Sequence, residues 1–178
     1  MTRCIALLRG INVGRAKRIA MADLRRLVES LGHTEVQTLL NSGNVVFEAK
    51  RAVPTRLATA LSAEIARGLG LEVPVVVLSA AELDAAIERN PLLAQAVDAS
   101  RHLLAFAGES AALDPARALL ARPWAPDALA VDGRVAYLWC AAGVLDSPLS
   151  QAFARATGSA ATARNWATVL KLQAAARA

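Results

Sequence analysis

The sequence predicts an α+β protein built from two related halves, and three observations lead there. Short apolar stretches bounded by Gly, Asn, Asp or Pro recur along the chain and read as strands. Between them stand segments with apolar residues at 3.6-residue spacing, which read as helices. The order strand-helix-strand-strand-helix-strand over residues 1–90 is partly repeated over residues 91–178.

Residues 3–8 form the first predicted strand, followed at once by the loop Gly10-Ile11-Asn12-Val13-Gly14. Residues 21–31 carry Leu24, Leu27, Val28 and Leu31 on one helical face, and Gly32 supplies the stop. Residues 34–40 and 44–48 are strands joined by Asn41-Ser42-Gly43, which is turn chemistry. Pro54 opens a second helix at residues 54–67, with Gly68 and Gly70 at its end. Residues 73–78, rich in valine, complete the split βαβ, or ferredoxin-like, arrangement. Ser79-Ala80-Ala81-Glu82 then reads as a capping box for a helix to about residue 89, broken by Asn90-Pro91.

In the second half, residues 102–107 are a strand and Asp114-Pro115 starts a helix to about residue 121. Residues 127–131 and 134–139 flank Asp132-Gly133, a hairpin signal. Ser147 or Pro148 opens a helix to about residue 156, and an Ala-rich helix spans about residues 163–176. A closing strand is not expected, so this half reads as a modified copy with an extra C-terminal helix.

Composition narrows the function classes. With 55% apolar residues the chain has ample material for a core. No apolar run approaches the roughly 18 residues that span a bilayer. The first apolar stretch, residues 4–8, stops at Arg9 and is shorter than the ~7–15-residue core of a secretory signal. A cytoplasmic location without membrane association is therefore expected. Cys4 and Cys140 lie in separate apolar stretches with no CxxC partner, so both are expected to be buried thiols. His33 and His102 stand alone, and neither a metal nor a cofactor is implied. No feature sets an oligomeric state.

Charge is unevenly distributed. Residues 1–51 hold nine basic and four acidic side chains, so the whole net charge of +5 resides there. A basic segment suits an anionic partner, although Arg is also this chain's habitual surface residue. Strands one and three of the arrangement are adjacent and antiparallel. The loop at residues 9–17 and the turn at residues 41–44 should therefore meet at one end of the sheet, beside the start of the first helix. Arg, Asn and Ser side chains near a helix N-terminus suit an anion.

Three motifs carry a resemblance. Leu7-Leu8-Arg9-Gly10-Ile11-Asn12-Val13-Gly14, then Asn41-Ser42-Gly43-Asn44-Val45-Val46-Phe47, then Thr162-Ala163-Arg164-Asn165-Trp166 with Thr168 following, closely resemble the bacterial domain of unknown function 1697 family. The resemblance runs from the first strand to the last helix. It implies two ferredoxin-like halves with extra C-terminal helices, and no activity. The chain departs from the family pattern at Arg15 and Ala16, where a second glycine and an Asn are usual. It departs again at Ser147-Pro148-Leu149, which lacks a lysine.

Known chemistries find little purchase. Gly10 to Gly14 is one residue short of a Walker A loop, Lys17 does not follow the second glycine, and no Ser or Thr is placed for magnesium. Ser42 lacks the G-x-S-x-G setting of a nucleophile, and Glu82, Asp84 and Glu88 read as one solvated helix face. Phe47 is the third strand's only aromatic residue, so base stacking of the RNA-recognition type is not expected. Trp166, with Val169, Leu170 and Leu172, reads as the docking face of the last helix. The expected ligand site comprises Arg9, Asn12, Gly14, Lys17, Ser42 and Asn44, with Arg164 and Asn165. Its expected ligand is an anionic small molecule, a nucleotide or phosphorylated metabolite. An enzyme with a pocket between the halves, and nucleic-acid-backbone binding through the N-terminal basic segment, are the alternatives.

Overall fold

The apolar run after the N-terminus becomes a central strand. In a computed structural model that describes all residues 1–178, β1 (Thr2–Leu8) lies between β3 (Asn44–Ala49) and β4 (Val75–Ser79), and β2 (Thr34–Leu39) pairs with β3 outside. The sheet order is β2-β3-β1-β4, every neighbour antiparallel. Alternate residues of β1 and β3, namely Cys4, Ala6, Leu8, Val45 and Phe47, face α1 (Met21–Ser30) and α2 (Pro54–Leu69). Ile5 and Leu7 point the other way and are also fully buried, which is why the strand is apolar throughout rather than alternating.

The helix α2 begins with Pro54, as expected, but runs through Gly68 to a left-handed cap at Gly70. A Cβ at Gly68 would sit 2.9 Å from Leu27 Cδ2, so this glycine permits close approach of α1 rather than ending the helix. Ser79 and Glu82 form the predicted capping box of α3 (Ala80–Glu88): the Ser79 N–H donates to Glu82 Oε2 at 2.7 Å and the Glu82 N–H to Ser79 Oγ at 3.2 Å.

The chain divides into two units, Met1–Asp84 with Leu172–Ala178, and Ala85–Lys171. The partition passes through helices, not a linker. Gln173 and Arg177 hold the final turns to the first unit by donating to Asp84 Oδ1 at 2.6 and 2.9 Å.

In the second unit β5 (His102–Ala107), β6 (Ala128–Asp132), β7 (Val135–Trp139) and β8 (Ala161–Asn165) form a sheet of order β6-β7-β5-β8, again antiparallel throughout. Its helices are the short α4 (Asp114–Arg117), α5 (Pro148–Thr157) and the first part of α6 (Trp166–Arg177). β8 corrects the expectation of a missing closing strand. Helix propensity of the Ala-rich tail is overridden by a ladder to β5, with Leu104 opposite Arg164 and Phe106 opposite Thr162. The predicted helix after Asp114 is also shorter. It gives way to 3₁₀ turns, and Arg122 is extended before Pro123. Ser147 caps α5 by accepting from the Ser150 N–H at 2.9 Å and donates to Asp127 at 2.7 Å, while Pro148 takes the first helical position.

His102 is fully buried in a closed network. Leu138 O can only accept, so Nδ1 carries the proton at 2.9 Å; Nε2 then accepts from Asn90 Nδ2 at 2.7 Å, whose Oδ1 takes the Leu92 N–H. Burial pushes the His102 pKa below its ordinary 6.5, only partly offset by the Leu138 hydrogen bond. Below that value the unfolded chain takes up a proton that the folded one refuses. Stability contributed by this site is thus present above pH 6.5 and is lost as pH falls toward the folded pKa. His33 is shifted the same way, so the expected result is comparative. His102→Gln flattens the pH dependence of urea midpoints between about pH 7 and 5. Parallel profiles would exclude this account.

No helix is long and apolar enough to cross a membrane. Cys4 and Cys140 are buried and unpaired with each other.

Candidate functional site

Antiparallel pairing delivers three connections to one end of the first sheet. Leu7 lies opposite Asn44 and Leu8 opposite Val75. The end of β1, the β2–β3 turn and the approach to β4 are therefore neighbours. Backbone bonds tie them: the Leu8 N–H donates to Gly43 O at 2.8 Å and the Arg9 N–H to Pro74 O at 2.9 Å.

Asn12 clamps the loop between β1 and α1. Its Nδ2 donates to Ile19 O at 2.9 Å and to Asn41 O at 2.7 Å, and its Oδ1 accepts the Ile19 N–H at 2.9 Å. Its own N–H reaches Lys17 O at 3.1 Å. The backbone is left-handed at Asn12 (φ 54°), Gly14 (φ 63°) and Lys17 (φ 49°), and Val13 bridges to Ala16. Asn tolerates that region better than other residues bearing a Cβ. The result is a fixed finger with Gly14 at its exposed tip. Lys17 Nζ donates to Glu72 O at 2.7 Å, linking the finger to the α2–β4 connection.

The rim thus brings together Arg9, Asn12, Gly14, Lys17, Ser42 and Asn44. Their availability differs. Asn44 is fully buried, its Nδ2 donating to Leu39 O at 3.0 Å and Ser42 Oγ at 2.9 Å, so it shapes the turn. Arg9 is half-buried; Ser42, Gly14 and Lys17 are exposed. Arg164 and Asn165 end β8 in the second unit. Arg164 Nη1 donates to Thr162 Oγ1 at 3.0 Å and Ala163 O at 2.8 Å, and burial pushes its pKa down to about 10. Asn165 Oδ1 accepts the Thr168 N–H at 2.9 Å and caps α6.

The basic excess does not form one patch. Arg25 pairs with Glu29 at 2.8 Å, Arg26 with Asp23, and Arg3 faces Glu48 at 3.9 Å. Lys50 and Arg51 follow the far end of β3. At the rim stand Arg9, Arg15, Lys17 and Arg18, with no acid between residues 9 and 22.

Beside the finger runs a solvent-open groove of about 730 Å³ between α2 and the approach to β4, lined by Lys17, Thr59, Ser62, Ala63, Glu72 and Val73, among others. Thr59 and Ala63 also line a further hollow of about 370 Å³ that reaches Arg56. Sequence reasoning missed this groove, because a helix face of Ala, Thr and Ser reads as an ordinary solvated surface. No three His, Cys, Asp or Glu side chains are grouped to hold a metal ion.

Residues 1–137 match the family described as "Protein of unknown function (DUF1697)". No curated protein matches the sequence. The fold is similar to that of the conserved bacterial protein SP0830 from Streptococcus pneumoniae, with a TM-score of 0.76 and 24% identity over 98% of each chain.

Proposed function

This chain belongs to the DUF1697 family of proteins of unknown function, and on that premise we propose that it is a cytoplasmic binding domain for an anionic small molecule, a nucleotide or phosphorylated metabolite. The strand orders support reading each unit as ferredoxin-like, with the β1–α1 loop as the ligand-facing connection. Two unpaired buried thiols suit a reducing compartment.

The observation that carries the reading is the placement of Lys17. Its backbone is fixed by the bond from Asn12, and its ammonium stands at the mouth of the groove with one donor on Glu72 O. Two donors remain for a phosphate oxygen. The rest of the ligand would lie along α2, where Thr59 and Ser62 offer hydroxyl groups and Arg56 a second cation beyond them. A volume of this order suits a small metabolite.

Thermal unfolding with ADP or inorganic phosphate tests this. Ligand at about a hundredfold over its Kd stabilises by about 2.7 kcal/mol, which for a chain of this size raises Tm by about 5–10 °C. Lys17→Ala is expected to abolish most of that rise. If neither these anions nor a wider panel of phosphorylated metabolites moves the wild-type Tm, the reading fails.

A further inference from the structure

We infer that the tip of the finger is a second, separate contact surface, for the phosphate backbone of duplex nucleic acid. Arg15, Lys17 and Arg18 are all exposed within four residues, and Arg15 and Arg18 make no hydrogen bond or ion pair. The base of the loop that carries them is pinned by Asn12 to Ile19 and Asn41, which lessens the order that has to be created on binding. Arg15 and Arg18 are exposed and do not line the groove, and exposed guanidinium groups suit an extended row of phosphates.

The remaining features narrow the partner. No aromatic residue lies between residues 9 and 22 or in the turn at residues 40–43, so stacking on unpaired bases has no platform. The large exposed apolar side chains there are Val13 and Leu40, at 73% and 51%, too few to anchor a membrane-inserting loop. Backbone recognition without base readout is what such a finger offers. This surface does not depend on the groove reading beyond sharing Lys17.

Fluorescence anisotropy with a short labelled DNA duplex decides the matter. Each phosphate contact adds about 0.9 to the salt slope, so three contacts predict about a 40-fold loss of affinity from about 50 to about 200 mM salt. In Arg15→Ala/Arg18→Ala the same salt change should cost only about 3- to 4-fold, from a weaker starting affinity. That variant should keep any Tm rise with ADP. Ala63→Trp, which fills the groove, should remove the ADP response and leave duplex binding intact. The inference is overturned by absence of duplex binding at about 50 mM salt. It is equally overturned if the Arg15/Arg18 variant matches wild type, if Lys50→Ala/Arg51→Ala at the other end loses as much, or if phosphatidylserine vesicles bind more tightly than duplex.

Discussion

Replacing Gly43 with alanine is expected to cost about 2–5 kcal/mol, the sum of overpacking and left-handed backbone strain. An added Cβ would meet Leu8 Cβ at 2.6 Å, Ile11 Cδ1 at 2.9 Å and Ile11 Cγ1 at 3.1 Å. The Ile11 side chain can rotate, but Leu8 Cβ is bonded to the backbone of β1 and cannot. Relief requires the turn to move away from the strand, which breaks the 2.8 Å bond from Leu8 N to Gly43 O. Gly43 also has φ +83°, where an alanine is strained whatever the space. Gly10→Ala is the control: φ is +69° there, but nothing lies within 4 Å of the added atom. Only the conformational part, about 1 kcal/mol, is expected for it. Urea midpoints of the two variants separate the effects, and equal losses would show that the close approach does not matter.

Much of this architecture was legible because local signals agreed with the final packing. The largely apolar run at residues 3–8 read as a strand, and the structure buries both of its faces. Asn41-Ser42-Gly43 and Asp132-Gly133 stand at the two hairpins. β8 escaped notice because Ala161–Asn165 is short, runs directly into the Ala-rich helix, and pairs only with β5, some sixty residues earlier. The meeting of loop and turn followed from topology, since strands one and three had to be neighbours. What each Asn does there did not follow. Asn12 and Asn44 are the same residue type, yet one bridges two connections near the surface and the other is sealed inside its own turn. Residue type declares hydrogen-bonding capacity, and only the fold decides where that capacity is used. The same limit applies to charge. Nine basic residues were countable, but the pairing of Arg25 with Glu29 and of Arg26 with Asp23, and the position of Lys50 and Arg51 beyond the far end of β3, are set by the fold.

Asn12→Ala is expected to be the second most damaging change at the rim, at about 2–4 kcal/mol. Three side-chain hydrogen bonds disappear at roughly 0.5–1.5 kcal/mol each, and alanine takes over a left-handed backbone that Asn tolerates better. Asn12→Asp should not rescue it: a carboxylate can still accept the Ile19 N–H but would face Ile19 O and Asn41 O with no donor. Asn12→Gly relieves the backbone and still lacks the clamp, so it should fall between wild type and alanine. Amide exchange resolves where the loss is felt, with faster exchange expected at Ile19 before the strands open. The consequence for function is sharper than for stability. Asn12→Ala keeps every cation of the finger, so a polyanion attracted by charge alone would bind it unchanged. If position matters, both the ADP response and duplex binding should weaken although the net charge is the same. A variant that unfolds more easily yet binds both probes as wild type does would show that the finger's charge acts without its fixed geometry.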